Sequence, residues 1–373
     1  MFIVNEKNTP EEQNVPANLK VLGIGGGGSN VITYIYKQNL KNAYLIAANT
    51  DQKALSVTLA HEKIILGTGL GAGGDPEKGK TAMEASSEKM KKTLEGTDLL
   101  ILIATLGGGT GTGGIPVVAE LAKQMGILSI GIVTLPFPFE GKKRMKKALS
   151  ALEELEDRVD TLLVIENGKL LEIASEDISH EEAFHIADNM LYYAVRGITS
   201  IIFQVGYVNV DFADLETTIK NGGRAIMGSG VGKGENAVLD AVKQAIDNPL
   251  IKDGTMINAK NILVSFTGVS EKMTLRKINE AINYIKERTN AIDNENEEVI
   301  FGTGKFPYGQ EPDYDVEVTI IATQGKDNEK SLQEKTKHEG MPDLSDEGRT
   351  HVTERRGRNR RPAIFRRRNK NKE

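Results

Sequence analysis

Apolar and polar residues alternate in blocks along the first half of the chain. Short apolar runs of strand length are separated by stretches with helical spacing, from Leu19 to about Asp160. Strands are predicted near Val21–Ile24, Tyr44–Ala48, Lys63–Leu66, Leu99–Leu106, Leu128–Leu135 and Thr161–Glu166. Repeated alternation of buried strands with helices predicts a parallel, doubly wound sheet.

The second half begins with a long predicted helix, from about His180 to Phe203. Ser179, followed three residues later by Glu182, is typical of a capping box at a helix start. The apolar residues keep helical spacing, and they are Phe184, Ala187, Leu191, Ala194, Ile198 and Ile201. A second αβ unit is predicted over about 207–324, with strands at Ile262–Phe266, Glu298–Phe301 and Val316–Ala322.

Composition changes this picture at the two ends of the chain. Residues 1–18 are polar and contain two prolines, so we expect a loose arm. Residues 325–361 are charged and nearly free of large apolar side chains, as in a disordered linker. From Arg349 onward, eleven Arg or Lys and two Glu give a charge of +9, whereas the whole chain carries -5. The basic charge is thus a property of the tail and does not indicate nucleic-acid binding.

Missing residue types narrow the classes of function. The 373 residues include no cysteine, which excludes disulfides and thiolate metal sites. The first twenty residues are polar and carry acids, and no apolar run approaches the ~20 residues of a membrane span. We therefore expect a cytoplasmic protein without a leader peptide or a transmembrane anchor.

The most informative segment is Gly107–Gly114, with the sequence GGGTGTGG. It follows the apolar run Leu99–Ala104 and precedes a predicted helix with Pro116 in its first turn and Gly126 just past its end. Glycine lets the backbone approach a ligand closely, and a helix N-terminus favours an anion. The segment adds two hydroxyl donors, Thr110 and Thr112. It predicts a phosphate cradle, and the alternative is an ordinary glycine-rich turn.

Two other glycine patterns compete for a nucleotide. Gly23–Gly28 fits G-x-G-x-x-G after a strand and Asp51 ends the next strand, which is the layout of an NAD(P)-dependent enzyme. Gly74–Thr81 fits the phosphate-loop pattern G-x-x-x-x-G-K-T. Its context is poor, because seven residues separate it from the preceding strand and its interior holds a proline and two acids.

A site built from two glycine segments reconciles most of these signals. Gly25–Gly28 and Gly107–Thr112 both follow strands of one sheet, so both can hold one nucleotide at the carboxyl ends of those strands. A dinucleotide site normally has only the first segment. The second segment therefore favours a nucleoside triphosphate.

Six short motifs stand in a fixed order along residues 19–324. They are GIGGGGSN (23–30), AANTD (47–51), GLGAGGDPEKG (69–79), TLGGGTGTGGIP (105–116), LPFPFEGKKR (135–144) and NVDFADLETTI (209–219). Together they resemble the FtsZ family of bacterial, tubulin-like division GTPases. The resemblance implies an α/β, tubulin-like fold, in which a Rossmann-like parallel-sheet GTPase domain is joined by a long central helix to a smaller αβ domain. The implied divisions are an N-terminal arm (1–18), a GTP-binding domain (19–179), a central helix (180–206), a C-terminal activation and assembly domain (207–324), a disordered linker (325–361) and a C-terminal adaptor-binding peptide (362–373).

The resemblance also implies a ligand and its contacts. The ligand is GTP or GDP, with Mg²⁺ held by the phosphates and by no side chain directly, and the sequence leaves open whether a monovalent cation assists hydrolysis. Contacts from the two glycine segments are implied for Gly25, Gly26, Gly27, Gly28, Asn30, Gly108, Gly109, Thr110, Gly111 and Thr112. Glu140 and Arg144 match the positions that contact the ribose and the neighbouring phosphate. Asn167, Phe184 and Asp188 match the guanine positions, where a carboxylate or amide can pair with the base and a ring can stack on it.

Each of these side chains has a structural alternative. Glu140 and Arg144 are also ordinary charges at a helix start. Phe184 lies on the apolar face of its predicted helix and fits the core as well. Asn167 before Gly168 is also a plain turn signal.

An acidic loop is implied to complete the chemistry. Asn209, Asp211 and Asp214 lie far in sequence from the glycine segments, and carboxylates would repel a triphosphate if they formed its cradle. They suit polarising a water or helping to hold a cation at the γ-phosphate. In the family this loop comes from the next subunit, so hydrolysis requires head-to-tail assembly, which generates filaments. The alternative is that Asp211 and Asp214 cap a helix at Leu215–Lys220.

The end of the chain resembles the family's adaptor-binding peptide more weakly. The residues that carry this match are Pro362, Ile364, Phe365, Arg366 and Arg367. They predict docking of a membrane-anchoring adaptor and of division regulators. Contact with anionic lipid and a merely solvated basic end are the alternatives.

The expected function is therefore a self-assembling GTPase that forms the division ring beneath the membrane. A tubulin-like filament protein with little GTP turnover is the nearest alternative. An NAD(P)-dependent Rossmann enzyme is the alternative from a different class, and it leaves GGGTGTGG and NVDFAD without a role.

Overall fold

Ten strands form one sheet in the computed structural model, which describes residues 17–173, 178–203, 208, 210–247, 259, 261–289, 298–306 and 312–325. The strands are β1 (Leu19–Ile24), β2 (Tyr44–Asn49), β3 (Glu62–Ile65), β4 (Leu99–Thr105), β5 (Leu128–Leu135), β6 (Thr161–Glu166), β7 (Gly223–Gly232), β8 (Asn261–Gly268), β9 (Glu298–Gly304) and β10 (Val316–Thr323). Their order across the sheet is β3-β2-β1-β4-β5-β6-β7-β10-β8-β9. Strand β10 pairs antiparallel with β7 and β8, and every other pairing is parallel. The parallel, doubly wound sheet predicted for the first half is confirmed.

The helices fall between these strands. They are α1 (Gly25–Lys37), α2 (Gln52–Val57), α3 (Pro76–Glu84), α4 (Ser87–Leu94), α5 (Thr110–Gln124), α6 (Lys142–Glu156), α7 (Asn167–Ile173), α8 (His180–Phe203), α9 (Phe212–Ile219), α10 (Ala237–Ile246) and α11 (Leu275–Thr289). A single 3-10 turn spans Pro138–Glu140, just before α6.

Helices cover both faces of the first half of the sheet, because nearly every residue of β1, β2, β4 and β5 is buried. Consecutive strand residues point to opposite faces. Val21 belongs to a core cluster that includes residues of α1 and α8, whereas Leu22 belongs to a second cluster with residues of α3, α4, α5 and α6. A third cluster lies between α10, α11 and the last strands. Full burial of successive residues explains why the strands were recognisable as uninterrupted apolar runs.

Strand β7 is absent from the sequence prediction, because its glycines weaken the strand signal. The structure gives a packing reason for two of them. A Cβ on Gly230 would lie 2.1 Å from the carbonyl oxygen of Ala241, and one on Gly232 would lie 1.9 Å from that of Ala237. Helix α10 therefore rests directly on the backbone of β7.

Helix α8 crosses the sheet between its two halves and has the bounds that the sequence predicted. Its start is the expected capping box, in which the Glu182 N–H donates to Ser179 Oγ at 3.2 Å and the Ser179 N–H donates to Glu182 Oε2 at 2.9 Å. Residues 204–206 of the predicted central helix lie outside the described residues. Further along α8, Arg196 forms a 2.7 Å ion pair with the buried Glu317 of β10. That pair fastens α8 to the second half of the sheet.

The start of α5 was predicted wrongly. The helix begins at Thr110, so Gly111, Gly113 and Gly114 are helical and Pro116 lies well inside it. The reason is close contact between helices. A Cβ on Gly113 would lie 1.9 Å from the carbonyl oxygen of Pro76 in α3. Part of the glycine segment thus serves packing and not ligand access.

The phosphate-loop pattern at Gly74–Thr81 lies at the start of α3. Asp75 caps that helix by accepting from the Glu77 N–H at 3.1 Å, and Pro76 occupies its first turn. Gly79 is also a packing residue, because its Cβ would lie 2.4 Å from the carbonyl oxygen of Gly109. The pattern therefore marks a helix contact, in agreement with its poor sequence context.

Replacing Gly113 with alanine tests this contact. Alanine is about 1 kcal/mol better than glycine inside an exposed helix. Here the added methyl group meets backbone, so we expect Gly113→Ala to lower the free energy of unfolding by about 1–3 kcal/mol. Urea unfolding measures the change, and Gly26→Ala serves as the control, since no atom lies within 4 Å of a Cβ there. A stabilised Gly113→Ala protein would contradict the packing argument.

Candidate nucleotide site

The two glycine segments meet where neighbouring strands end. Strands β1 and β4 are adjacent and parallel, with Ile24 beside Ala104 at their carboxyl ends. A Cβ on Gly25 would lie 2.7 Å from the backbone nitrogen of Gly111, and one on Gly27 would lie 2.1 Å from Thr105 Oγ1. The predicted meeting of the two segments is therefore confirmed. Helices α1 and α5 both begin here, so two sets of free N–H groups and two positive helix ends converge.

A cleft of about 240 Å³ opens at this junction. A third glycine stretch forms its other wall and is tied down by a 2.8 Å bond from the Gly71 N–H to the Thr50 carbonyl oxygen. The lining residues are Gly26, Asn49, Thr50, Asp51, Ala54, Gly71, Ala72, Gly73, Gly74, Gly109 and Thr110. Sequence reasoning assigned no role to Asn49 and Thr50, although the AANTD motif contains both.

Two glycines of the segments have no packing reason. A Cβ on Gly26 or Gly108 would meet no atom within 4 Å, and neither residue has a positive φ. By contrast, a Cβ on Gly28 would lie 2.8 Å from the Ile103 carbonyl oxygen, and one on Gly109 would lie 2.8 Å from the Ala72 Cβ. Gly26 and Gly108 are thus the two positions where open space next to the backbone suits a ligand.

The predicted hydroxyl donors make hydrogen bonds within the protein. Thr110 Oγ1 lies 2.6 Å from Thr50 Oγ1, and both side chains are buried. Thr112 Oγ1 accepts from the Gly107 N–H at 2.9 Å, which fixes the turn before α5. The Thr112 hydroxyl accepts in this bond and keeps its own proton available, whereas in the Thr50–Thr110 pair one of the two hydroxyls donates to the other. Asn30 is exposed in the second turn of α1.

Several buried polar atoms near the site have no hydrogen-bond partner among the described residues. They are Ser29 Oγ, Asn49 Nδ2 and Asn167 Oδ1, and a fourth, Thr97 Oγ1, lies before β4 at its opposite end. An unsatisfied buried polar group costs about 1–3 kcal/mol, and such groups are rare in folded proteins. Asn49 lines the cleft, so a polar ligand there would provide a partner for its Nδ2.

Phe184 and Asp188 lie one helical turn apart near the start of α8. Phe184 is 36% exposed, so it is not a core residue, and its ring packs edge to face on Phe137 with centroids 5.2 Å apart. Burial raises the pKa of Asp188 to about 6, and the positive potential of His185 opposes that rise only in part. Asn167 begins α7 and is 4% exposed, so the turn suggested by Asn167-Gly168 is instead a helix start.

Glu140 and Arg144 form a pair at the rim of the site. Glu140 accepts from the Phe137 N–H at 2.9 Å and forms a 2.8 Å ion pair with Arg144. A Cβ on Gly107 would lie 3.0 Å from the carbonyl oxygen of Arg144, so the start of α6 touches the second glycine segment. Glu140 and Arg144 therefore stabilise the start of α6, which is the structural alternative given for them above. The start of α6 lies beside the cleft.

The two described carboxylates of the acidic loop cap α9. Asp211 Oδ1 accepts from the Asp214 N–H at 2.8 Å, and Asp214 Oδ2 accepts from the Asp211 N–H at 3.3 Å. Neither residue lines the cleft of its own chain. Asn209 lies outside the described residues, as do Pro362, Ile364, Phe365, Arg366 and Arg367 of the predicted adaptor-binding peptide.

Comparison with known proteins agrees with the fold. The model of the Tubulin/FtsZ family, GTPase domain, matches residues 18–175, and that of the FtsZ family, C-terminal domain, matches residues 223–326. The cell division protein FtsZ of Rickettsia felis is 40% identical over 326 residues, which cover 86% of this chain and 70% of that protein. The FtsZ of M. jannaschii, solved as an empty dimer, has a TM-score of 0.76 at 37% identity and covers 83% of this chain and 89% of its own.

A more distant structure shows the fold alone. CetZ2 from Haloferax volcanii, solved as a protofilament with GTPγS bound, has a TM-score of 0.68 at 21% identity, covering 86% of this chain and 98% of its own. Fold and site together define a GTPase of the tubulin class. The chain belongs to the FtsZ family of cell-division GTPases. Among the described residues, no helix has the length and apolar character needed to span a membrane.

Alanine at the two open glycines tests whether they face the nucleotide. We expect Gly26→Ala and Gly108→Ala to leave the melting temperature of the nucleotide-free protein unchanged, since the methyl group meets no protein atom. GTP affinity is expected to fall at least tenfold, which corresponds to about 1.4 kcal/mol. Nucleotide titration below the assembly threshold measures it. Wild-type affinity in both variants would show that neither glycine approaches the ligand.

Proposed function

We propose that the cleft binds GTP, with its phosphates on the starts of α1 and α5 and its base against α7 and α8. The observation that carries this proposal is the convergence of two helix N-termini on two glycines that are free of packing contacts. The proposed contacts from the glycine segments are Gly25–Gly28, Asn30 and Gly108–Thr112. Glu140 and Arg144 are placed at the ribose and the neighbouring phosphate.

Guanine is recognised by Asn167, Phe184 and Asp188 in this proposal. An ionised Asp188 can accept from the N1–H and the exocyclic amine of the base. Asn167 Oδ1, which is buried without a partner, is a further acceptor. The half-exposed ring of Phe184 offers a face or edge to the base.

Mg²⁺ would enter with the phosphates and neutralise charge that develops on them during hydrolysis. The chain's own oxygen-bearing side chains at the cleft, Asn49, Thr50 and Asp51, suit the water shell of such a cation.

The acidic start of α9 is proposed to act on the GTP of another copy. Asp211 and Asp214 do not line the cleft of their own chain. A carboxylate that polarises water must reach the γ-phosphate. A head-to-tail contact satisfies this requirement, and because that interface does not close on itself it generates a filament. Asn209 is placed in the same loop.

Residues 362–373 are proposed to bind a membrane-anchoring adaptor and division regulators. The support is the sequence match of Ile364 and Phe365 beside a basic run. Such an adaptor would place filaments at the division site on the cytoplasmic side of the membrane. The division into a GTP-binding domain (19–179), a central helix (180–206) and an assembly domain (207–324) belongs to the same proposal.

Asp188→Asn tests the base site, because it should raise the free energy of unfolding while it lowers the affinity for GTP. The native carboxyl has its pKa raised from 3.8 to about 6, so the native state binds more protons than the unfolded state between these values. The contribution of Asp188 to the free energy of unfolding therefore falls as the pH rises from 3.8 to about 6, and it stays low above pH 6. We expect Asp188→Asn to raise the free energy of unfolding at neutral pH, without nucleotide, by about 1–3 kcal/mol.

The same variant should lose GTP affinity and gain affinity for xanthosine triphosphate. Xanthine carries a carbonyl oxygen where guanine has its amine, and the asparagine amide can donate to that oxygen. Thermal unfolding across pH and titration with both nucleotides measure these effects, and wild-type GTP affinity should weaken below about pH 6. Unchanged base preference would remove Asp188 from the guanine site.

Asp214→Asn and Asp214→Ala test the shared site. The asparagine keeps an acceptor for the cap while removing the charge. We expect both variants to assemble with GTP, seen by light scattering, while phosphate release falls at least about a hundredfold. Wild-type hydrolysis should begin only above a threshold protein concentration, together with scattering. Hydrolysis strictly proportional to concentration without scattering would mean that one chain holds the whole site.

A further inference from the structure

We propose that Lys147 of α6 is a positioning residue for the nucleotide site, and that it holds the third glycine stretch (Gly69–Gly74) in the conformation that receives the terminal phosphate of GTP. The inference rests on the proposed binding of GTP in the cleft and adds a residue from outside the sequence motifs. It assigns Lys147 no contact with the nucleotide, because the side chain acts through the backbone of Gly74.

The third glycine stretch is a wall of the cleft whose glycines have open space around them. Gly71, Gly73 and Gly74 line the cleft, and their φ angles are 83°, 59° and 71°. A Cβ on any of the three would meet no atom within 4 Å. Glycine loses more conformational freedom on folding than any other residue. Because side-chain packing does not hold these three residues, the shape of the wall depends on hydrogen bonds.

Backbone hydrogen bonds hold the stretch on either side of Gly73 and Gly74. The Gly71 N–H donates to a backbone carbonyl oxygen at 2.8 Å, and the Asp75 N–H donates to another at 3.1 Å. Among the described residues, neither Gly73 nor Gly74 forms a hydrogen bond from backbone to backbone. The part of the wall between the two bonds therefore depends on a contact with a side chain.

Lys147 provides that contact. Its Nζ donates to the carbonyl oxygen of Gly74, and no other side chain that the structure describes is hydrogen-bonded to Gly69–Gly74. Because the ammonium group is charged, this bond is stronger than a bond between neutral groups. Lys147 is also half-buried, unlike its exposed neighbour Lys146, so fewer conformations are lost when its side chain is held at Gly74.

The bond closes a ring of contacts around the start of α5. A Cβ on Gly107 would lie 3.0 Å from the carbonyl oxygen of Arg144, which precedes Lys147 by about one helical turn. A Cβ on Gly109 would lie 2.8 Å from the Ala72 Cβ. The second glycine segment thus touches α6 at one residue and the third glycine stretch at another, and Lys147 joins those two neighbours directly.

The order of the strands places the terminal phosphate beside the third glycine stretch. The proposed base site includes Asn167, which follows β6, whereas Thr50 of the cleft follows β2. Strands β1, β4 and β5 lie between β2 and β6 in the sheet. A nucleotide with its base near β6 and its phosphates on the starts of α5 and α1 directs its last phosphate toward β2. A loosened third stretch should therefore weaken the binding of GTP more than that of GDP.

Three single substitutions in the full chain test the inference. Lys147→Met removes the donor, Lys147→Arg keeps a cationic donor, and Lys146→Met is the matched control that removes the same charge at an exposed position. Lysine, methionine and arginine have similar helix propensities, so α6 is retained in all three variants. Titration with fluorescent derivatives of GTP and GDP, below the assembly threshold, measures both affinities.

We expect Lys147→Met to lower GTP affinity about tenfold and GDP affinity by less than about twofold. Lys147→Arg should restore most of the lost GTP affinity, and Lys146→Met should keep both affinities within about twofold of wild type.

Hydrogen exchange separates positioning of the wall from a general loss of stability. In nucleotide-free Lys147→Met we expect the hydrogen-bonded amides of Gly71 and Asp75 to exchange about tenfold faster than in wild type. Exchange in β4 and in the body of α5 should stay unchanged, as should the melting temperature.

The inference is wrong if Lys147→Met keeps wild-type GTP affinity or loses GTP and GDP affinity equally. Failure of Lys147→Arg to restore affinity would also overturn it, as would an equal loss in Lys146→Met, because charge alone would then explain the effect. Absence of GTP binding by the wild-type chain would instead contradict the proposed function.

Discussion

Backbone contact between two helix starts is the constraint on which the site depends. Helices α1 and α5 begin beside each other at the ends of β1 and β4, so close that no Cβ fits between Gly25 and Gly111. This contact sets the distance between two groups of unpaired N–H donors. The strands beneath are buried and hydrogen-bonded to each other, and they fix the spacing of the two helix starts.

The glycines of the FtsZ-family sequence motifs have two separate structural roles. At Gly113 and Gly79 it lets one helix lie on another, and at Gly26 and Gly108 it leaves room beside the cleft. The segment Gly107–Gly114 therefore contains glycines of both kinds, with Gly113 at a helix contact and Gly108 beside open space at the cleft. Asn49, which lines the cleft, also has a buried amide nitrogen without a partner among the described residues.

Much of the fold was predictable because its signals are local. Buried strands such as β5 and the capping box of α8 are encoded by adjacent residues, and their bounds agree with the prediction. Strand β7 was not predicted, because its glycines weaken the strand signal and are explained only by the close packing of α10 on its backbone. The start of α5 was misplaced for a similar reason, since contact with α3 favours glycines in a helix where intrinsic propensity opposes them.

The candidate site shows the same limit. Its glycine segments and the motif containing Asn49 were visible, but the role of Asn49 depends on a cleft that only the third glycine stretch completes. The capping bonds of Asp211 and Asp214 were foreseen as an alternative, because a carboxylate before a predicted helix is a local signal.

The ladder between β6 and β7 has a mechanical consequence. It joins the two halves of the sheet through only three residue pairs, the shortest ladder in the described sheet. A relative movement of the two halves would therefore meet fewer strand-to-strand hydrogen bonds here than at any other ladder of the described sheet. Helix α8, held to β10 by Arg196 and Glu317, bridges the seam from one side. The seam is thus a hinge line in the described sheet with a helical brace across it.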